Sequence, residues 1–128
     1  MQKLNDITSS ILNSAIHIHR ELGPGLLESV YQHILAYELH KKGLAVVTEL
    51  AIPVHWDQVK LDLGFRADLL VENQVVVEVK SIEAVAPVHK KQLLTYLKLM
   101  KKSVGLLINF NVDVLREGIS RVVNGFTE

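Results

Sequence analysis

The sequence contains no cysteine, only three prolines and few aromatic residues, and it has no excess of either charge. The lack of cysteine excludes disulfides and thiolate metal sites, and it fits a reducing compartment. Fourteen basic and fourteen acidic side chains give a net charge of zero. This balance argues against a protein that coats nucleic acid, because such proteins bind by neutralising phosphates. A net charge of zero is still compatible with a local basic patch.

Long hydrophobic runs are also missing. No stretch approaches the ~20 consecutive apolar residues that a membrane span needs, and the N-terminal segment has no apolar signal-peptide core. We therefore expect a cytoplasmic protein without a membrane partner. The length of 128 residues predicts one domain over residues 1–128 with one core. Because the hydrophobic content of 48% is high for this length, we also expect a buried sheet and a homodimer.

The spacing of apolar residues predicts an alternation of helices and strands. The predicted helices are Leu4–Leu22, about Leu26–Lys42 and about Pro87–Lys101. The predicted strands are Ala45–Trp56, Val59–Val71, Val75–Lys80, Val104–Phe110 and about Ile119–Val123. The second helix is expected to bury Leu27, Val30, Ile34, Leu35 and Leu39. Pro53 suits an edge strand or a bulge, since it cannot donate to a ladder. This order predicts an α/β fold with a mixed central sheet flanked by helices.

Three charged residues, Asp68, Glu78 and Lys80, interrupt the apolar pattern of the second and third predicted strands. If the apolar odd-numbered residues face one core, the hairpin centres on Asn73, with Asp68 opposite Glu78 and Arg66 opposite Lys80. Opposed residues have Cβ atoms roughly 4.5–5.5 Å apart, and two carboxylates that close repel unless a cation or proton lies between them. The pattern therefore favours a metal site. The alternative is a solvent-facing sheet surface with an ordinary Glu–Lys pair.

The helix predicted after the third strand carries His89, Gln92 and Tyr96 on one face. Lys91 and Lys98 belong to a basic stripe that suits phosphate contacts. The alternative interpretations are ordinary amphipathic packing for the first group and a solvated helix surface for the lysines.

The start of the second helix carries Glu28 and Tyr31 one turn apart, after Gly25. The helix dipole favours an acidic residue in a first turn, so a capping Glu28 and a Tyr31 at the edge of the core remain an alternative to a functional site. The six histidines include no His-x-x-x-His pair, so we do not expect a structural zinc site.

Together, these residues resemble a known family. Its motifs here are Gly25-x-x-Glu28-x-x-Tyr31, then Asp68 with Glu78-x-Lys80, then Gln92-x-x-x-Tyr96, and the segment Gly105-Leu-Leu-Ile-Asn-Phe110 also fits. They resemble the GxxExxY protein family of the PD-(D/E)XK nuclease-like superfamily, over about Leu4 to Val123. The resemblance implies a restriction-endonuclease-like αβββαβ core with an extra N-terminal helix.

The resemblance also implies roles for individual residues. Asp68 and Glu78 would bind Mg²⁺ or Mn²⁺, with the backbone carbonyl of Val79 as a third ligand and Glu28 completing the site directly or through water. Lys80 would position or polarise the attacking water, so that Glu28, Asp68, Glu78 and Lys80 form the catalytic set. The residues expected to organise the site or to contact nucleic acid are Gln92, Tyr96, Tyr31, His89, Arg66, Lys91 and Lys98.

The implied function is a Mg²⁺-dependent nuclease that hydrolyses DNA. The alternative is a catalytically silent nucleic-acid-binding or assembly module on the same fold. The neutral net charge and the lack of a DNA-reading domain motivate this second hypothesis.

Overall fold

The computed structural model describes residues 3–125, without the side chain of Leu63. Two helices come first, α1 (Leu4–Leu22) and α2 (Glu28–Lys41). Three strands follow, β1 (Val46–Trp56), β2 (Val59–Val71) and β3 (Val75–Lys80). The chain continues through α3 (Pro87–Met100), β4 (Val104–Asn109), a short 3₁₀ helix (Leu115–Gly118) and β5 (Ile119–Val123). The predicted α/β order is confirmed, and only the 3₁₀ helix is added. None of the described helices is long and apolar enough to cross a membrane.

The described residues form one mixed sheet of five strands in the order β1-β2-β3-β4-β5. Strands β3 and β4 are parallel, and the other neighbours are antiparallel. The register between β1 and β2 shifts between Ile52 and Val54. Pro53 therefore lies at an irregularity of an edge strand, as its missing N–H predicts.

The sheet lies between two layers of helices. On one face, α1 and α2 pack against the odd-numbered residues of β3, which are Val75, Val77 and Val79. On the other face, Val76 packs with Leu93 and Leu97 of α3. Because successive side chains of a strand point to opposite faces, the alternation in β3 places Glu78 on the same side as Val76, facing α3. The predicted mixed sheet with flanking helices is confirmed.

The buried face of α2 differs from the predicted one. Leu27 is 74% exposed and Val30 is 37% exposed, so their predicted burial is wrong. Leu27 precedes the helix, which begins at Glu28. The predicted burial of Leu35 and Leu39 is confirmed, Ile34 is half-buried, and Tyr31 joins them in the buried stripe. Tyr31 is favoured at the core because its ring stacks on Phe110, with centroids 4.3 Å apart.

Strand β2 accompanies β3 over a short distance only. The paired residues are Leu69 with Val77, Leu70 with Val76 and Val71 with Val75, which confirms the hairpin centred on Asn73. Beyond Leu69, β2 stays paired with β1, and Arg66 lies opposite Ala51. Because the β2–β3 pairing ends at Leu69 and Val77, the predicted pairing of Arg66 with Lys80 is wrong. The rest of β2, over residues 59–67, pairs with β1 alone.

Candidate active site

Asp68 and Glu78 lie where β2 and β3 separate. The amide of Asp68 donates a hydrogen bond to Glu78 Oε2 at 2.8 Å, and the amide of Val79 donates to Asp68 Oδ2 at 2.8 Å. The carboxylates thus replace ladder carbonyls as acceptors for two amides that the separation would otherwise leave unpaired. Each carboxylate is therefore bonded to a backbone amide of the other strand. This arrangement differs from a simple cross-strand pair of side chains.

The electrostatics of this pair favour a bound proton or cation. Burial, followed by the charge of Asp68, raises the pKa of Glu78 to about 8. Burial also raises the pKa of Asp68, against the lowering effects of its bond to the Val79 amide and of the Lys80 charge. Two buried carboxylates side by side cannot both ionise without cost. A cation between them would remove this cost.

The remaining oxygens of the pair are acceptors without donors. Asp68 Oδ1 and Glu78 Oε1 have no hydrogen-bond partner among the described residues. Neither is sealed from solvent, since Ser14 Oγ is the one fully buried side-chain polar atom without a partner in residues 3–125. Carboxylate oxygens without donors are the ligand type that Mg²⁺ prefers.

Side chains alone do not complete a metal cage in this structure. Within residues 3–125, no three His, Asp or Glu side chains converge closely enough to hold an ion by themselves. Mg²⁺ is usually bound through one or two protein carboxylates and keeps several waters. A set of two carboxylates, completed by a backbone carbonyl and water, therefore fits the residues present.

Helix α2 contributes Glu28 to the same region. Asp68 and Glu28 line a cleft of about 670 Å³, and the charge of Glu28 contributes to the raised pKa of Asp68. Glu28 Oε2 accepts a hydrogen bond from the amide of Ser81 at 3.2 Å. Glu28 is therefore both a first-turn residue of α2 and a wall of the acidic cleft, and it is linked to the end of β3.

The loop before α2 is held by a network that centres on Tyr31. The Tyr31 hydroxyl donates to the Gly23 carbonyl at 2.6 Å and accepts from the Leu26 amide at 3.2 Å. Gly25 has φ 105°, a conformation that glycine adopts far more readily than other residues. Since Tyr31 is fully buried, it cannot contact nucleic acid. Its geometry supports the organising role, in which it fixes the loop that carries Glu28.

Helix α3 brings Tyr96 within the electrostatic influence of the carboxylates. Burial, then the charges of Glu78 and Asp68, raise the pKa of Tyr96 to about 12. Its ring lies 4.9 Å from that of Phe65. Gln92 is half-buried one turn earlier. Tyr96 is itself a buried member of the core under α3, near enough to the acidic pair to be affected by both charges.

His89 lies in the first turn of α3 and bonds to the backbone at the start of this helix. Its Nδ1 accepts a hydrogen bond from the Ala86 amide at 2.9 Å, so it caps the start of α3. A capping histidine satisfies an amide that has no partner within the helix. This contact supports a structural role for His89 and occupies one of its two ring nitrogens.

No lysine or arginine is among the described residues that line the cleft. Lys80 is half-buried, and its charge lowers the pKa of both Asp68 and Glu78. Arg66 is exposed and donates to the Glu49 carbonyl at 3.1 Å. Lys91 and Lys98 are exposed on α3 and do not line the cleft. Lys80 is thus the cation coupled most directly to the acidic pair.

The sequence interpretation missed Glu49 and Gln32. Glu49 lines the cleft, has φ 52° and contributes a charge that raises the pKa of both Asp68 and Glu78. Gln32 is buried, and its Nε2 lies 3.5 Å from the Asp68 carbonyl oxygen. Glu49 could have been found from the sequence, because it is an acidic residue within a predicted strand of alternating pattern. Gln32 gave none, because a glutamine within a helix is common.

Asn109 was missed as well. It ends β4, is 2% exposed, and clamps the backbone of Ile82: Oδ1 accepts from the Ile82 amide at 3.1 Å, and Nδ2 donates to the Ile82 carbonyl at 3.0 Å. Its Oδ1 also accepts from the Asn111 amide at 3.2 Å. A single amide at the end of an otherwise apolar strand was the available signal. The clamp fixes the chain two residues after Lys80.

A mixed sheet between helices, with two carboxylates and a lysine where neighbouring strands separate, defines a restriction-endonuclease-like α/β protein. The family model of the PD-(D/E)XK nuclease superfamily matches residues 5–122, and the chain belongs to this superfamily. No curated protein and no solved structure shows significant similarity to the chain.

Proposed function

We propose that this chain is a Mg²⁺- or Mn²⁺-dependent nuclease of the GxxExxY family that hydrolyses phosphodiester bonds in DNA, with residues 1–128 as its single domain. The observation that carries the proposal is the Asp68–Glu78 pair, in which each carboxylate keeps one oxygen without a donor. A bound divalent ion would supply positive charge to the reacting phosphate and acidify a water molecule.

The side chains around the pair have distinct roles in this proposal. Asp68 and Glu78 hold the ion together with the Val79 carbonyl, and Glu28 reaches it through water from the far wall of the cleft. Lys80 orients the attacking water and places a positive charge beside the phosphate. Tyr96, which is buried, and Gln92 one turn before it organise the α3 side of the site.

Contacts with the rest of the DNA are assigned to exposed cations outside the cleft. Arg66 lies on the β1–β2 hairpin, and Lys91 and Lys98 lie on α3. All three are exposed, so phosphates can reach them without rearrangement of the core. Such contacts position a nucleic acid without reading its sequence.

Cleavage assays test the catalytic proposal directly. Single-stranded, duplex and branched DNA are incubated with the protein and Mg²⁺ or Mn²⁺, alongside Asp68→Ala and Lys80→Ala. We expect each variant to lose about 100-fold or more in rate, in line with the loss of a group that stabilises the transition state. Asp62→Ala is the matched control, since Asp62 is exposed on the hairpin and pairs only with Lys60 at 3.9 Å. Equal cleavage by wild type and Asp68→Ala would assign the activity to a contaminant.

A silent binding or assembly module is the second candidate. It is favoured by the finding that no three acidic or histidine side chains within residues 3–125 form a ready-made metal cage. Calorimetry with Mn²⁺ separates the two: micromolar binding that Glu78→Ala abolishes supports the nuclease. Salt-dependent DNA binding without uptake of Mn²⁺ supports the module.

The proposal includes a homodimer in the cytoplasm. Large apolar side chains are exposed on the β1–β2 hairpin, where Trp56 is 73% exposed and Val59 is 53% exposed. A second subunit would cover such a surface and extend the small area that one domain offers to DNA. Light scattering across micromolar concentrations is expected to give twice the chain mass, and a constant monomer mass would refute the dimer.

A further inference from the structure

We propose that a second cavity, separate from the acidic cleft, binds a small apolar anion: a molecule with a hydrocarbon body and one carboxylate, sulfonate or phosphate group. This cavity has a volume of about 690 Å³ and lies between α1 and the segment 113–119. It shares no lining residue with the acidic cleft. Its size falls within the roughly 300–1,000 Å³ that is usual for sites that bind small molecules.

Five of the nine residues that line the cavity are apolar. They include Leu12 and Ile16 from α1, Leu115 from the 3₁₀ helix and Ile119 from β5. His19 also lines the cavity, but its Nε2 lies 2.8 Å from the Val112 carbonyl oxygen and must donate to it. Burial of a hydrocarbon body against these walls is favourable because it removes apolar surface from water on both sides.

Two guanidinium groups give the cavity its preference for an anion. Arg20 and Arg116 both line it and are solvent-exposed, and neither guanidinium has a hydrogen bond or an ion pair with any residue in the range 3–125. Asp113 is the one acidic residue among the lining residues, so the three charged groups sum to one net positive charge. The planar fork of a guanidinium matches carboxylate and phosphate oxygens in pairs. A single negative charge on an apolar body is the complement of this arrangement.

The test uses 8-anilinonaphthalene-1-sulfonate, an apolar anion whose fluorescence rises on binding. We expect one site per chain in a titration of the intact protein. Decanoate should displace the dye at concentrations at least about 10-fold lower than decanol or decyltrimethylammonium do, since a charge-assisted hydrogen bond contributes on that scale. Displacement that does not distinguish decanoate from decanol would overturn the proposal.

Substitutions of the two arginines test whether the dye binds in this cavity. Arg20→Ala combined with Arg116→Ala is expected to weaken dye binding about 10-fold or more, whereas Arg20→Lys with Arg116→Lys should retain part of it. Lys60→Ala, which removes an exposed cation from the β1–β2 hairpin, is the control and should bind as wild type does. The single variants Arg20→Gln and Arg116→Gln provide the same comparison should the double variant unfold. Unchanged binding in these arginine variants, or binding at many equivalent sites, would show adsorption of the dye to the surface and refute the cavity as a site.

Discussion

Asp68 and Glu78 are bonded to each other's strands: the Asp68 amide donates to the Glu78 carboxylate, and the Asp68 carboxylate accepts from the amide of Val79, both at 2.8 Å. The same two bonds hold the acidic groups and close the gap between β2 and β3. The candidate site is therefore part of the sheet, and changes in its ionisation should alter stability as well as function.

The metal-free protein should lose stability as the pH rises from about 5 to about 8. In the unfolded chain Glu78 titrates near 4.5, and in the folded protein its pKa is raised to about 8. Between these values the folded state keeps a proton that the unfolded state has released, so the free energy of unfolding falls with pH. The stabilisation is complete below the lower pKa and is lost as the pH passes the upper one. Urea denaturation at several pH values measures this slope.

Glu78→Gln is the matched variant for this prediction, because it resembles the protonated side chain at every pH. Its free energy of unfolding should vary less between about pH 5 and pH 8 than that of wild type. Identical slopes in the two proteins would contradict the raised pKa of Glu78.

Mn²⁺ should raise the melting temperature more at pH 8 than at pH 5. Binding of the ion requires deprotonated carboxylates, and a ligand that binds only the folded state stabilises it by mass action. At high pH the ion would replace the proton that the Asp68–Glu78 pair holds at low pH. Thermal melts with and without Mn²⁺ measure the shift. We expect Asp68→Asn to remove most of it, whereas an equal shift in that variant would mean that Mn²⁺ binds elsewhere.

Replacement of Asn109 by alanine should destabilise the protein by about 1–3 kcal/mol, because it leaves two partly buried backbone groups of Ile82 without their partner. It should also weaken Mn²⁺ binding, since the clamp lies next to the segment that carries Lys80 and the amide bonded to Glu28. Urea denaturation and calorimetry measure the two effects. Asn13→Ala on the exposed face of α1 is the control, and it should change stability by less than about 0.5 kcal/mol. Equal effects of the two substitutions would argue against the clamp.

Tyr31→Phe should cost about 1–2 kcal/mol, because it removes the hydroxyl that bonds Gly23 and Leu26 while keeping the ring on Phe110. Tyr37→Phe is the control, since Tyr37 is 63% exposed and its change should be close to zero. Thermal and urea denaturation compare the two. If Tyr31→Phe were as neutral as Tyr37→Phe, the loop before α2 would not depend on this hydroxyl.

The sequence by itself determined the elements and the register of the central hairpin. Apolar residues at helical or alternating spacing report local geometry, so α1 and β3 have the predicted bounds, and the β2–β3 hairpin centres on Asn73 as predicted. The motif residues Asp68, Glu78 and Lys80 were visible for the same reason, because charged side chains stand out in apolar strands.

Only the tertiary structure decided how these residues are used. Strand β2 separates from β3 beyond Leu69, and this separation turns an expected cross-strand pair into carboxylates bonded to the opposite backbone. The buried face of α2 depends on a contact with a residue far along the chain, because Tyr31 stacks on Phe110. The clamp of Asn109 on Ile82 likewise joins two residues that are distant in sequence. Sequence spacing records contacts along one element, whereas these contacts join residues that only the packing of the sheet and its helices brings together.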